Sequence, residues 1–470
     1  MPPKWATFGT DLHLDLPSRG VRAALESALR DAVQTGRLSP GARLPSSRGL
    51  ALDLGLARNT VAEAYDQLVA EGWLTARRGS GTRVADRVAV RPALPTPVER
   101  ETGFEYDLRA GYPDLSFFPR AAWLAASRRA INMAPVEAFG YCDPRGRPEL
   151  RRSLAEYLSR ARGVRVSADQ LVICAGFDQV LELLCEWLRA KGATTIAFEA
   201  FGFRSHRAIA RGVGLRVLDL PVDEQGALIS ELKGVDAVVL TPAHQFPLGV
   251  ALSPQRRSAA VSWADERDRI VIEDDYDGEF RYDRQPVGAM QALAPDHVAY
   301  VGTASKALAP ALRLAWMALP TRLVGDIVAA KSRTARLGSS LDQLALAEFI
   351  ASGAYDRHVR RSRLAYRRRR DRMVTALGAE APAVRVTGIA AGMHAVVELA
   401  VGEREDATVH RAAEAGLAIR GLGTYSNGAA IDRPAVVVGY GTPPEHAFAA
   451  ALERLVKVLA DAPRDADVAL

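Results

Sequence analysis

Seven short apolar segments constrain the fold of this chain more than any other feature of its sequence. They follow one another between residues 171 and 319, and each has four to six mostly apolar residues. Strands that are apolar on both faces are typical of a parallel sheet covered by helices on both sides. We therefore predict an α/β fold with strands at residues 171–174, 195–199, 215–220, 237–240, 270–274, 299–302 and 314–319.

Residues 11–86 have a different pattern, which predicts a small domain of short helices and a hairpin. Residues 18–34 place apolar side chains at helical spacing. Ser46 is a favourable N-cap for a second helix, Gly55 ends that helix, and residues 57–70 form a third. Two helices that meet at a glycine, followed by two short strands around a glycine-rich turn, predict a winged helix-turn-helix.

The remaining residues divide into a linker and a larger domain. Three prolines favour an extended linker over residues 87–104. The alternating pattern occupies residues 105–465, and from about residue 330 it becomes a smaller α+β subdomain with strands near 394–399 and 435–439. A chain of 470 residues is long enough to build these separate cores.

The composition excludes several classes of protein. The content of 48% hydrophobic and 25% charged residues fits a soluble globular chain. No apolar segment is long enough to span a membrane, and the N-terminus lacks a signal-peptide pattern, so we expect a cytoplasmic protein without a membrane partner. The three cysteines lack the spacing of metal ligands, so no metal site is predicted.

Lys306 is the clearest candidate for covalent chemistry. It is one of only six lysines, and it follows the predicted strand at 299–302. An earlier strand ends in Asp274 and Asp275, followed by Tyr276. Pyridoxal 5'-phosphate (PLP) needs such groups, because an amine forms a Schiff base with its aldehyde and a carboxylate pairs with its ring nitrogen. Asp274 is the first choice for the ring nitrogen and Asp275 is its competitor, since adjacent strand residues face opposite ways.

The third predicted helix carries side chains suited to reading DNA. The first turn of such a helix enters the major groove. There Arg58 can pair with guanine, Asn59 can pair with adenine, and Thr60 can contact a phosphate or a thymine methyl group. Arg48, at the front of the preceding helix, is placed for a backbone phosphate.

Further positive charge also fits a nucleic-acid partner. Arg78 and Gly79, at the tip of the predicted hairpin, suit the minor groove. The net charge is +6, and nine of the sixteen residues from 357 to 372 are arginine. This arginine run has two interpretations. It is either the solvated face of a helix or an additional surface that contacts DNA phosphates.

Several motifs carry a resemblance to known families. Residues 44–51, 55–61, 71–74 and 79–82 resemble the GntR-type winged helix-turn-helix. Residues 107–119, 141–146 and 241–249 resemble three segments of fold-type I, class I/II aminotransferases. Taken together, the chain resembles the MocR/GabR family of PLP-dependent transcription regulators. The resemblance implies a large aminotransferase-like domain, with a mostly parallel sheet flanked by helices, and a head-to-tail homodimer.

The resemblance also implies roles for individual residues around PLP. Lys306 would hold the aldehyde, Asp274 the ring nitrogen and Tyr276 the phenolate oxygen. The other implied contacts are the phosphate clamp Arg313, the hydroxyl donors Thr303 and Ser305, the helix start at Gly176 and Phe177, the stacking ring of Phe203, and Arg207 for an effector carboxylate.

Three functions are compatible with these residues. The first is a DNA-binding transcription regulator that binds PLP through Lys306 and responds to PLP or to an amine or amino-acid effector. Control of PLP metabolism is one form that this function could take. The alternative is an active aminotransferase with an appended DNA-binding domain. A third option is a PLP fold that serves only dimerisation. Residues 435–440 lack the arginine that aminotransferases use for the substrate carboxylate, which favours the regulator.

Overall fold

The computed structural model describes residues 20–77, 81–86, 103–282, 287–334 and 338–461. The chain divides into two compact units, Met1–Thr102 and Gly103–Leu470. Arg78, Gly79 and residues 87–102 of the predicted linker lie outside the described residues. Among the residues that the structure describes, no helix is long and apolar enough to cross a membrane.

The first unit consists of three helices and a hairpin: α1 (Val21–Gln34), α2 (Ser47–Leu54), α3 (Arg58–Ala70), β1 (Leu74–Arg77) and β2 (Gly81–Val84). The Ser46 hydroxyl accepts a hydrogen bond from the Gly49 N–H at 3.1 Å and so caps α2. Gly55 ends α2 with a positive φ of 67°. The helices and the hairpin enclose one apolar core, which confirms the winged helix-turn-helix.

The second unit contains the remaining strands: β3 (Tyr106–Asp107), β4 (Leu171–Cys174), β5 (Thr195–Glu199), β6 (Arg216–Leu220), β7 (Val222–Asp223), β8 (Gly226–Ala227), β9 (Ala237–Leu240), β10 (Ile270–Asp274), β11 (Val298–Thr303), β12 (Ala315–Ala318), β13 (Arg385–Thr387), β14 (Ala395–Glu398), β15 (Leu417–Ala418), β16 (Arg420–Gly421) and β17 (Ala435–Val438). All seven predicted segments are strands of one sheet in the order β4-β12-β11-β10-β9-β5-β6.

This central sheet is mostly parallel, as the apolar segments predict. Neighbours among β5, β6, β9, β10 and β11 pair in parallel. The mostly parallel sheet is therefore confirmed, and its exception is β12, which runs antiparallel to both β4 and β11. A short connection from the end of β11 forces this reversal, since a parallel return needs a longer crossover.

The helices of the second unit are α4 (Arg120–Met133), α5 (Pro148–Arg162), α6 (Phe177–Ala190), α7 (Arg204–Gly212), α8 (Pro254–Asp265), α9 (Ala304–Ala307), α10 (Thr321–Thr334), α11 (Ser340–Ala351), α12 (Ala354–Glu380), α13 (Glu405–Glu414) and α14 (Glu445–Ala460). Helices from this set cover both faces of the central sheet. Val172 packs with α6 and α10 on one face, whereas Ile173 packs with α5 and α11 on the other. Burial on both faces explains why the strands have so few polar residues.

The C-terminal part forms a smaller α+β layer. Strands β13, β14, β17 and β16 make an antiparallel sheet, and β14 and β17 lie at the two predicted positions. Strand β15 pairs in parallel with β3, so the first described residues of the unit are hydrogen-bonded to its C-terminal part.

Candidate functional site

The candidate site lies at the carboxyl ends of β10 and β11, where the parallel register brings both strand ends to one edge of the sheet. Thr303 ends β11 and its hydroxyl caps α9, which contains Lys306. The Lys306 ammonium group donates a hydrogen bond to the Gly111 carbonyl at 2.6 Å. Burial lowers the pKa of Lys306, although the charges of Asp274 and Asp277 oppose the shift. The site therefore favours the neutral amine that attacks an aldehyde.

The two strand-end aspartates have different surroundings. Asp275 is buried and accepts two hydrogen bonds from Arg162, at 2.7 and 2.9 Å, and one from the Tyr300 hydroxyl at 2.8 Å. Burial raises the pKa of Asp274 well above its ordinary value, Asp275 adds to that rise, and the charge of Lys306 opposes it. Asp274 thus faces the lysine, while Asp275 belongs to a buried ion pair.

Tyr276 is joined to two residues that the sequence analysis did not single out for a role. Its hydroxyl lies 3.1 Å from His244 Nδ1, and the same nitrogen lies 2.8 Å from Asp277 Oδ2. His244 Nε2 is buried without a hydrogen-bond partner among the described residues. The segment at 241–249 indicated this loop, but no spacing pattern links it to Asp277. Their proximity arises only where the ends of neighbouring strands meet.

A second group of predicted residues meets at the start of α6. Gly176 is the N-cap of α6 with a φ of 130°, and a Cβ atom there would lie 3.1 Å from the Arg313 guanidinium. Backbone N–H groups of the first turn and a guanidinium therefore share a space that any side chain at Gly176 would fill. Such a pair suits a phosphate group. Arg313 also borders a cavity of about 960 Å³.

The hydroxyl donors and the aromatic residues complete this edge. The Thr303 and Ser305 hydroxyl oxygens lie 2.9 Å apart at the start of α9. Phe203 stacks on Phe246, with ring centroids 4.6 Å apart, and its ring reaches Gly111, the residue that binds Lys306. Sequence reasoning missed Phe246, because its ring reaches Phe203 only through the fold of the 241–249 loop.

The first turn of α6 also holds Phe177 and an acidic neighbour. The Phe177 ring lies 4.7 Å from the ring of His206. The Asp178 side chain is 61% exposed and lies 3.8 Å from His206 Nε2. The carboxylate is therefore directed to solvent, and the backbone N–H groups of the first turn are the candidate contact for an anion.

Arg207 lies inside the fold. Its Nε donates to Asp219 at 2.9 Å, and its Nη2 donates to the Glu199 carbonyl. The side chain is only 2% exposed. Since Asp219 already neutralises this guanidinium, the structure does not present Arg207 as a free contact for an effector carboxylate.

The first unit presents the predicted DNA-reading side chains on its surface. Arg58 and Asn59 are exposed and Thr60 is half-buried in the first turn of α3. Arg48 is exposed at the start of α2. The opposite side of α3 is buried in the core, so this exposed turn is available to a groove.

Comparison with known proteins places both units in families. Residues 22–84 match the bacterial regulatory proteins of the gntR family, and residues 108–443 match aminotransferase class I and II. The HTH-type pyridoxine biosynthesis transcriptional regulator PdxR of Corynebacterium glutamicum is 34% identical over 89% of this chain and 91% of its own. The probable rhizopine catabolism regulatory protein MocR of Rhizobium meliloti is 32% identical over 76% of this chain and 77% of its own.

This chain belongs to the MocR/GabR family of transcription regulators. The large unit of this MocR-type regulator also resembles solved enzymes. Kynurenine aminotransferase of Pyrococcus horikoshii is 25% identical with a TM-score of 0.68, over 76% of this chain and 91% of that one. An archaeal alanine:glyoxylate aminotransferase has a TM-score of 0.69 at 24% identity, over 76% of this chain and 91% of its own, which shows a shared fold.

The C-terminal strand β17 is where the resemblance to aminotransferases implies an arginine for the substrate carboxylate. Strand β17 (Ala435–Val438) carries no arginine. Arg420, on the neighbouring strand β16, lies opposite Val437. Its charge opposes the rise that burial causes in the pKa of Tyr425, whose ring lies edge-on to Phe246 at 5.1 Å. Positive charge is therefore present beside the aromatic residues, but on a different strand from the one predicted.

Proposed function

We propose that this regulator binds PLP covalently at Lys306 and that its affinity for operator DNA depends on that binding. The observation that carries the proposal is the half-buried Lys306 amine, whose pKa is lowered and which lies within the electrostatic reach of Asp274, together with the Gly176–Arg313 space at the same edge of the sheet. When bound, PLP supplies an aldehyde that condenses with an amine and a ring that withdraws electrons. The residues described above fit each of its polar groups.

The proposed contacts divide between the two ends of the cofactor. At the phosphate end, Arg313 and the backbone of Gly176 and Phe177 would hold the anion. Thr303 and Ser305 would add hydroxyl donors. These groups orient the phosphate so that the aldehyde meets Lys306.

At the ring end, Asp274 would face the pyridine nitrogen. Burial raises the pKa of Asp274, and a positively charged ring nitrogen beside it would stabilise its ionised form. Tyr276 would donate to the phenolate oxygen while His244 and Asp277 hold its hydroxyl in place. Phe203, stacked on Phe246, would cover one face of the ring.

Regulation requires that a ligand bind two conformations with different affinity. An amine effector that takes the place of Lys306 on the aldehyde would release the lysine side chain and alter the contacts around α9. The effector would then bind the two conformations with different affinity. A carboxylate on the effector would find positive charge near Arg420 rather than at Arg207.

We propose that the functional form is a homodimer with a head-to-tail arrangement. Support comes from large apolar side chains that are exposed around α4: Leu124, Ile131, Met133, Val136 and Phe139. Exposed apolar groups of this size in one segment are typical of an interface with another chain. Two winged units would also suit paired half-sites.

The alternative is an active aminotransferase. The combination of Lys306, Asp274 and Tyr276 favours it, since these are the groups that such chemistry uses. The arginine-free strand β17 favours the sensor. Multiple turnover of an amino donor and a keto acid, at rates in the range of about 1–10³ s⁻¹, is the outcome that supports the enzyme.

The test compares wild type with Lys306→Ala in DNA binding and visible absorbance, each measured with and without PLP. We expect wild type to develop visible absorbance and to change its DNA affinity, and Lys306→Ala to bind DNA without either response. Lys233→Ala, which removes an exposed lysine elsewhere, is the matched control and should behave as wild type. A PLP response that persists in Lys306→Ala contradicts the proposal.

A further inference from the structure

The arginine run of the sequence lies on α12 (Ala354–Glu380), and eight of its nine arginines fall into two groups, with the half-buried Arg370 between them. One group is used within the fold. Arg369 is buried and pairs with Asp114 at 2.6 Å and with Glu445 at 2.7 Å, while Arg363 donates to the Glu279 carbonyl at 2.7 Å. These arginines attach α12 to other segments of the large unit through a buried ion pair and a carbonyl contact.

The other group is exposed. Six arginines of α12 lie on its solvent side: Arg357, Arg360, Arg361, Arg367, Arg368 and Arg372. At about 100° per residue they fall within an arc of about 140°, opposite the buried side that contains Tyr366 and Met373. The group therefore forms one continuous face, which we call the arginine face.

Little negative charge offsets the arginine face. Its acidic neighbour Asp371 lies 3.8 Å from Arg367, and both side chains are about 60% exposed. Asp356 pairs with Arg160 of another helix at 2.8 Å. Within the described part of the chain, no carboxylate forms an ion pair with Arg360, Arg361 or Arg368.

We propose that the arginine face binds the phosphate backbone of DNA that flanks the operator. Guanidinium groups match phosphate oxygens in a forked geometry, and they do so better than lysine, which this face lacks. From Arg357 to Arg372 the face is about 22 Å long, which corresponds to between six and seven base pairs at about 3.4 Å each. The helix is therefore long enough to contact several phosphates in succession.

Duplex DNA is the favoured occupant because the gntR-type unit already brings it to the same polypeptide. A second, weak surface on a tethered chain then acts at a high effective concentration. Phosphate contacts carry no base preference, so the arginine face would add affinity and position but no sequence specificity. The inference rests on DNA binding by the winged unit and extends it to the large unit.

The experiment uses the full chain and two duplexes. A binding site is selected from a random library with the full protein and trimmed to the part that the winged units protect. A second duplex extends the same site by about two helical turns on each side. Binding to the short duplex tests DNA recognition by the winged unit alone. The additional affinity for the extended duplex tests the arginine face, so a failure of either hypothesis can be distinguished from a failure of the other.

The test variant is Arg360→Gln/Arg361→Gln/Arg368→Gln. We expect its affinity for the short duplex to match wild type and its affinity for the long duplex to fall at least about tenfold. Its plot of log affinity against log salt should become shallower by about 2.7 on the long duplex, because each lost phosphate contact removes about 0.9.

The charge-matched control is Arg322→Gln/Arg385→Gln/Arg404→Gln. These arginines already pair with Asp268, Glu398 and Asp406. Their replacement therefore changes the net charge by the same amount but leaves the arginine face intact. The control should keep the gain from the flanks. Equal losses in both variants would show a general charge effect and overturn the proposal. It is also overturned if the test variant keeps the flank gain but loses binding to anionic lipid vesicles or to an acidic polypeptide.

Discussion

At the scale of single residues, two aspartates adjacent in sequence have different surroundings and different predicted roles. Asp275 accepts from Arg162 and Tyr300 in the interior, while Asp274 faces Lys306. The division follows from the strand geometry, which directs successive side chains to opposite sides. A buried ion pair is costly to break from one side, because the remaining charge has no partner.

This division predicts different effects for the same chemical change. Asp275→Asn should lower the free energy of unfolding by about 3–5 kcal/mol, because the Arg162 charge stays buried without its carboxylate. Asp274→Asn should leave stability unchanged or raise it, since burial already disfavours the charged form, and should weaken PLP binding. Urea unfolding and PLP titration of both variants check this. Equal stability losses would contradict the assignment.

At the scale of elements, the caps and glycines of the winged unit position α3. The Ser46 cap and the positive φ of Gly55 fix the turn between α2 and α3. The Tyr65 hydroxyl of α3 donates to the Pro45 carbonyl at 3.1 Å and ties α3 to the segment before α2. These contacts hold the exposed first turn of α3 in a fixed direction.

The position of α3 leads to a prediction about DNA recognition. Arg58→Ala should cost about 1–3 kcal/mol of operator binding and relax the preference at one base pair. Arg48→Ala should weaken binding evenly across sequences, because a phosphate contact carries no base information. Competition binding against a set of single-base operator variants distinguishes the two. Identical profiles for both variants would argue against the recognition-helix assignment.

At the scale of the whole molecule, burial raises the pKa of three glutamates of the large unit in addition to that of Asp274. Burial raises the pKa of Glu199, Glu273 and Glu279 to about 7 in each case. Glu199 lies at the end of β5 and Glu273 next to the end of β10, so two of them belong to the edge of the central sheet that carries the site.

These raised values predict how stability depends on pH. Between the unperturbed value of 4.5 and about 7, the folded chain keeps a proton on Glu199 that the unfolded chain has released. The contribution of Glu199 to the free energy of unfolding is therefore greatest at the acidic end of this window, and it decreases as the pH rises through it. Glu199→Gln, which mimics the protonated group, should flatten the decline in urea unfolding. An unchanged decline would exclude Glu199 as a source.

Much of the fold could be predicted because its causes are local. Strands buried on both faces leave runs of apolar residues, so all seven segments were found within one or two residues of their observed bounds. Caps and turn glycines similarly marked α2 and α3. The direction of β12 could not be predicted this way, since an apolar run is identical in either orientation.

The candidate site was only partly predictable. Asp274 ends one strand and Lys306 follows the next, and their positions in the sequence imply the edge of the sheet where they meet. Arg207 and His244 are different, because one is neutralised by Asp219 and the other is joined to Asp277 through contacts between separate segments. No spacing in the sequence reports such contacts.

Local patterns in the amino-acid sequence were sufficient to predict the two families of fold, the approximate strand boundaries and the lysine, because burial and helix capping act on residues close together in the chain. The tertiary contacts were needed to show which aspartate lies near that lysine, which arginines of α12 are exposed and which are buried in ion pairs, and that Arg207 is neutralised within the fold. The physical reason is that the environment of a charge is set by whatever side chains pack around it, and those come from distant parts of the chain.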